Sequence, residues 1–262
     1  MSATQSAVAK LSSRVPPKTV EIHIHRRANP DSAQYWEEFE IPYRPNLNVI
    51  SCLMEIQKNP VTKAGTQTTP PVWQMNCLEQ VCGICTMVIN GRARQSCSAL
   101  IDNLEQPIKL EPMSKFPNVR DLIVDRSRMF DHLRRVHGWV ELDGTHDLGP
   151  GPRMDQEVVQ ERYAYSRCMT CGCCLEACPQ YEDDHYIGPQ AIAQVRLFNM
   201  HPTGKMTRDE RLEAIMQEDG ITNCGNAQNC VKACPMSIPL TKAIYEENRE
   251  TVVHGLFGWL KK

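Results

Sequence analysis

The chain has 262 residues, with Lys plus Arg at 29 against Asp plus Glu at 31, and its net charge of −2 excludes the strongly basic balance of a nucleic-acid binder. No apolar run approaches the roughly 18–20 residues of a membrane-spanning helix, so a soluble chain of one large or two modest domains is expected. Thirteen cysteines stand against 5 Phe, 7 Tyr and 4 Trp; their odd number excludes complete pairing within the chain, and residues 1–18 hold no cleavable apolar segment, so the thiols are expected in a reducing compartment as metal or redox ligands.

Residues 1–18 read as a flexible tail. From Thr19 the chain alternates, with Val20, Ile22 and Ile24 on one face, then a turn at Asn29-Pro30-Asp31-Ser32 and a second strand over residues 35–41, which predicts a hairpin. Asn48 is placed to cap a helix whose apolar positions Val49, Ile50, Leu53 and Ile56 recur at helical spacing until Asn59-Pro60 stops it. A second hairpin follows: residues 86–89, then Asn90-Gly91, then residues 92–97, because Asn-Gly suits the φ > 0 positions of a type I′ turn. After about Val124 the pattern becomes helical. Leu122, Ile123, Met129, Phe130, Leu133 and Val136 form one stripe, and Gly149-Pro150-Gly151-Pro152 reads as a linker before a helix over residues 155–167. Thr207 with Glu210 reads as a capping box for a helix carrying Leu212, Ile215 and Met216. The expectation is a β-rich domain with one helix, followed by a helical domain.

The cysteines fall into three groups. Cys77, Cys82 and Cys85, separated by four and then two residues, with Cys97 at the end of the second hairpin, match the plant-type [2Fe–2S] ligand pattern. Gly83 leaves room for backbone N–H groups near the sulfides. A structural zinc site would show two close Cys pairs instead, and a Rieske centre is excluded because no Cys is followed two residues later by His. Cys168, Cys171, Cys174 and Cys178-Pro179 form the bacterial ferredoxin run, in which the fourth Cys ligates the other cluster. Fifty-six residues on, the same frame reads Cys224, Ala227, Cys230 and Cys234-Pro235. Exchanging the fourth ligands gives Cys168, Cys171, Cys174 and Cys234 for [4Fe–4S], and leaves Cys178, Cys224 and Cys230 for a second site. With Ala227 in place of a thiolate, that site is expected to hold [3Fe–4S]; the alternative is [4Fe–4S] with water or an outside ligand on the odd iron. Cys52 reads as a small core residue. Cys173 is an alternative to Cys174, although the frame shared by the two runs favours Cys174.

Three clusters in this order, with the segments YRPNLNVISCLMEI, CLEQVCGICTMVINGRARQSC, IGPQAIAQVRLFN and CGNAQNCVKACP, resemble the iron–sulfur subunits of succinate dehydrogenase and fumarate reductase, closest to the bacterial menaquinone-linked type. The resemblance implies an α+β chain: a β-grasp, plant-type [2Fe–2S] ferredoxin domain over residues 19–124 and a helical ferredoxin-type domain over residues 125–262. It implies no catalytic residue on this chain, which has no Walker A run and no complete GxGxxG. By the same resemblance the partners are an FAD-carrying catalytic subunit and a membrane anchor of cytochrome b type with heme, at the cytoplasmic face of the membrane. The cofactor order is then flavin, [2Fe–2S], [4Fe–4S], [3Fe–4S], quinone. Ubiquinone-linked relatives carry a Trp shortly after the first Cys-Pro and a His after the first Cys of the last run. This chain has Gln180-Tyr181 and Gly225, so menaquinone is expected, with Pro179 as the quinone contact.

Other features have plainer readings. His23 and His25 share a strand face and read as solvated, and Arg134-Arg135 and Lys261-Lys262 as exposed charge. The closing Leu256-Phe257-Gly258-Trp259-Leu260 is apolar enough to touch an anchor or a lipid interface. A fumarate reductase working in reverse, the relay subunit of another flavoprotein dehydrogenase and a zinc-stapled interaction protein are the alternative functions. Ala227 and the Cys77 group weigh against the second of these, and the third predicts zinc, no visible colour and unfolding by chelators.

Overall fold

In the computed structural model, which describes residues 19–140, 151–182 and 185–258, strand β1 (Thr19–Arg26) buries Val20, Ile22 and Ile24 and turns His23 and His25 to the other face. It pairs antiparallel with β2 (Tyr35–Pro42), and the turn closes through a bond from the Ser32 N–H to the Asn29 carbonyl of 3.2 Å. The second hairpin is β3 (Thr86–Ile89) and β4 (Arg92–Gln95), with Asn90 at φ 49° and Gly91 at φ 74°, as the Asn-Gly pair predicts. Between the hairpins lies β5 (Ile108–Glu111), giving a five-stranded sheet of order β2-β1-β5-β3-β4 in which β5 runs parallel to β1. Helix α1 (Val49–Lys58) covers this sheet, and its Val49, Cys52, Leu53 and Ile56 share one core with Val20, Ile22, Ile24, Ile108 and Leu110. A mixed sheet holding one helix in this way is a β-grasp arrangement.

Two expectations need correction in this part of the chain. The strand expected to run to Cys97 ends at Gln95, and Ser96–Ser98 form a 3-10 turn. The cause is local, since the Ser96 N–H and hydroxyl both donate to the Cys85 carbonyl, at 3.2 and 2.8 Å. Leu122 and Ile123 are not helical: Ile123–Val124 form β7, paired with β6 (Asn118–Arg120), and helix α2 (Ser127–Arg135) starts only afterwards. Asp121, at φ 43°, turns the chain there, and its carboxylate accepts the backbone N–H groups of Arg27 and Val72 at 3.0 and 2.8 Å. The same carboxylate takes the buried Arg26 guanidinium at 3.0 Å, and Glu37 takes its other side. Met129 and Val136 are buried as expected, while Phe130 faces out at 55% exposure.

The chain divides into two compact units, Met1–Asp125 and Arg126–Lys262. After α2, the second unit contains, among the described residues, α3 (Gln156–Ser166), α4 (Cys173–Glu176), α5 (Pro189–Asn199), α6 (Arg208–Ile215), α7 (Asn229–Ala233) and α8 (Leu240–Phe257). The two long helices α5 and α8 meet through a buried bond of 2.9 Å from Asn199 Nδ2 to Glu247 Oε2. Arg211 on α6 is fully buried and donates to the carbonyls of His137 (2.9 Å), Trp139 (2.7 Å) and Gly204 (2.6 Å), which is how a cation survives in this core. The capping box does not form. Gly204–Thr207 make a 3-10 turn running into α6, and the Thr207 hydroxyl points back to the Gly204 carbonyl at 3.4 Å. No helix among the described residues is long and apolar enough to cross a membrane. The tail over residues 1–18, Gly149-Pro150, Trp259-Leu260 and Lys261-Lys262 lie outside the described residues.

Candidate iron–sulfur centres

The first thiol set is built on the second hairpin and the loop before it. Cys85 precedes β3 and Cys97 sits in the 3-10 turn after β4, so the hairpin brings both back to one end, where they pack with Ile50 of α1 and Trp73. Asn48 secures this end twice: its Oδ1 caps α1 by accepting the Ser51 N–H at 2.9 Å, and its Nδ2 donates to the Cys97 carbonyl at 3.0 Å. The loop between Cys77 and Cys85 curls by placing Leu78, Gln80 and Gly83 at positive φ, of 61°, 58° and 71°. That curl aims backbone N–H groups inward, with the Glu79 N–H 3.4 Å from Cys77 Sγ. Cys82 lies against Cys77, and Cys97 within electrostatic reach of Cys85 and Cys77, so the four thiols form one group.

The two later runs repeat in backbone as well as in sequence. Thr170 (φ 53°) and Gly172 (φ 85°) precede α4, and 56 residues later Asn226 (φ 52°) and Gln228 (φ 58°) precede α7. In each, left-handed residues fold a loop around thiols before a short helix, a Cys-Pro step and then a long helix. Cys168, Cys174 and Cys234 pack against one apolar cluster that includes Tyr165 and Ile238, and Cys171 and Cys234 are both within electrostatic reach of Cys168. Cys173 is fully buried and is not among the thiols packed on that cluster. The Ile238 N–H lies 3.4 Å from Cys234 Sγ. Cys178 and Cys224 instead pack with Tyr186, and both act on Cys230, which itself belongs to the cluster of Tyr165 and Ile238 and so borders both groups. These three thiols line a cavity with Pro179, Gly225 and Ala227.

The donor chemistry fits iron. No thiol is paired in a disulfide. Burial, and then neighbouring thiols, push Cys97, Cys168 and Cys230 each up to about 11, and Cys174 well above its ordinary value. Such groups hold their protons until a cation replaces them. Cys77 goes the other way, to about 7, because the N–H groups of Glu79 and Val81 favour its thiolate. Cys52, raised to about 12 by burial, sits in the α1 core apart from all three sets. Tyr186 is also pushed far up, by burial first, so its phenol keeps its proton.

The remaining candidates have structural partners. His23 is half-buried and bonded to Glu21 at 2.9 Å, which also pairs with Lys63 at 2.8 Å, and His25 lies against Trp36 with ring centres 5.0 Å apart and the planes tilted by 40°. These contacts correct the expectation that both rings are solvated. Arg135 pairs with Asp219 at 2.7 Å, and Leu256 and Phe257 are exposed. Sequence reasoning missed the Asn48 bond to Cys97 and the placement of Tyr186 among the thiols. Neither has a local pattern, although tyrosines are few enough in this chain to have been tested singly.

A family profile described as "2Fe-2S iron-sulfur cluster binding domain" matches residues 20–131, and one described as "4Fe-4S dicluster domain" matches residues 164–238. The succinate dehydrogenase iron–sulfur subunit of Bacillus subtilis (strain 168) is 61% identical over 235 residues, covering 89% of this chain and 93% of that one. The fumarate reductase iron–sulfur subunit of Wolinella succinogenes is 28% identical over 225 residues, covering 84% and 91%. Among solved structures, a chain of the "Mycobacterium smegmatis Sdh1 complex in the apo form" superposes with a TM-score of 0.74 at 22% identity, covering 90% of this chain and 96% of that one, a likeness of fold. On the identity to the Bacillus protein across nearly the whole chain, this protein belongs to the family of succinate dehydrogenase iron–sulfur subunits, the electron-transfer subunits of that oxidoreductase.

Proposed function

We propose that Cys77, Cys82, Cys85 and Cys97, in a domain of residues 19–124, hold [2Fe–2S], and that residues 125–262 hold [4Fe–4S] on Cys168, Cys171, Cys174 and Cys234 and [3Fe–4S] on Cys178, Cys224 and Cys230. The observation that carries this reading is the crossing of the two runs: Cys234 keeps company with the first run while Cys178 keeps company with the second, where Ala227 replaces a thiolate. Bound in these sets, the clusters supply one-electron carriage between a flavin and a quinone that each exchange two electrons. The chain's own work is to hold thiolates in fixed groups, exclude water and offer N–H donors to sulfur, as at Cys77 and Cys234.

The partners in this reading are an FAD-carrying subunit and a cytochrome b membrane anchor with heme, at the cytoplasmic face of the membrane, as the family resemblance implies. The quinone is menaquinone, contacted by Pro179. Gly225 and Gln180-Tyr181 support it, standing where ubiquinone-linked relatives carry His and Trp, and Pro179 lines the cavity beside the three thiols. The physiological direction is succinate oxidation, supported by the greater distance of the fumarate reductase relatives.

EPR of the purified complex, with iron and zinc counted on the same sample, tests the reading. An oxidised [3Fe–4S] signal that succinate diminishes, while a reduced [2Fe–2S] signal grows, is expected. Zinc without paramagnetic iron, or clusters indifferent to succinate, would overturn it.

A further inference from the structure

Tyr186 is 1% exposed, and its hydroxyl is buried with no hydrogen-bond partner among the described residues. A phenol left so in an apolar core is costly, since it has given up water without gaining a partner. Tyr186 lines one cavity with Cys178, Cys224 and Cys230 and shares an apolar cluster with Cys178 and Cys224, and among these thiols Cys224 interacts with the hydroxyl most strongly. Its geometry to the neutral thiol falls short of a formed bond.

The placement is held from both sides. The residue before Tyr186 is tied down by Asn223, whose Nδ2 donates to the His185 carbonyl at 2.5 Å and to the Glu218 carbonyl at 2.8 Å. The residue after it is tied by the Ile187 N–H to the Asp219 carbonyl at 2.7 Å. Both anchors belong to the segment that leads directly into Cys224, so the backbone on each side of the ring is tied to the approach to that sulfur. The ring packs in the apolar cluster of Ile187, Ile192, Leu212 and Ile215.

We infer that Tyr186 is a positioning residue of the three-thiol site, its hydroxyl donating a hydrogen bond to the Cys224 sulfur once that sulfur carries charge. The inference rests on the ligand set proposed above. A donor to a ligand sulfur stabilises the state with one more electron and so raises the reduction potential. The phenol proton stays on the oxygen throughout, and no bond to Tyr186 forms or breaks.

The test is a potentiometric EPR titration of the membrane-bound complex carrying Tyr186→Phe, which keeps the ring and removes only the donor. The [3Fe–4S] midpoint is expected to fall while the [2Fe–2S] and [4Fe–4S] midpoints stay in place. One proton coupling to the oxidised cluster that exchanges in deuterium oxide is expected to be lost in the variant, while those of the Val231 and Cys230 N–H groups beside the Cys230 sulfur remain. An unchanged midpoint with full signal, or a set of exchangeable couplings identical to that of the wild type, overturns the inference and leaves the ligand set standing. A wild-type complex with no [3Fe–4S] signal overturns the ligand set and the inference with it. If the phenylalanine chain loses the cluster, 3-fluorotyrosine at position 186, a stronger donor of similar shape, must raise the midpoint, and no change would refute the role.

Discussion

At position 227 a methyl group stands where the run's own frame has a thiolate, between Asn226 and Gln228, both in left-handed conformations. The loop is therefore already shaped for a ligand at 227, as its counterpart is at Cys171 between Thr170 and Gly172. Ala227→Cys is expected to raise the iron content by about one atom per chain and to replace the oxidised [3Fe–4S] signal with a reduced four-iron one, counted by iron analysis and EPR. Unchanged iron and signal would mean that this position does not face the open corner. Tyr186 is the opposite kind of residue, one whose neighbours in sequence predict nothing and whose neighbours in space predict a great deal. Its surroundings are set by contacts from residues 218–224, which no local spacing announces.

Helix α1 and the second hairpin show how elements share a single restraint. Because one Asn48 side chain both caps α1 and holds the Cys97 carbonyl, Asn48→Ala is expected to lower stability by about 1–2 kcal/mol. It should also quicken loss of the [2Fe–2S] absorbance in denaturant, whereas Asn48→Asp, which keeps the cap and loses the amide donor, should recover most of the stability and little of the cluster retention. The elements legible beforehand were those written locally: the alternation of β1, the cap of α1, the Asn-Gly turn between β3 and β4, and the frame shared by the two cysteine runs. β5 was not legible. It is four residues long and draws its identity from β1, with Ile22 opposite Ile108. The stripe through Leu122 and Ile123 misled for a related reason, since helical spacing was present but the Asp121 carboxylate had already fixed the chain as a turn. The thiol groups stayed readable because ligand spacing is a property of sequence, while the amide and hydroxyl donors around them are a property of packing.

For the molecule as a whole, Glu247 gives the second unit one pH dependence of defined sign. Glu247 is fully buried between α5 and α8, and burial pushes its carboxyl up to about 7 despite the bond from Asn199 and the guanidinium of Arg196 at 3.7 Å. A raised carboxyl contributes stability that is complete below about 4.5 and is lost as pH rises through about 7, amounting to roughly 3 kcal/mol. Glu247→Gln should flatten that slope and make the chain more stable than wild type at pH 8, measured by thermal melting across pH. The crossing of Cys178 and Cys234 has a consequence for how the protein is made. Synthesis runs from the N-terminus, so Cys178 emerges long before its companions, and the group around Cys168 stays one thiol short until Cys234 appears. Under the ligand sets proposed above, a nascent or truncated chain ending before residue 224 lacks at least one thiol of each, so iron loading of this unit waits until both repeats have been made.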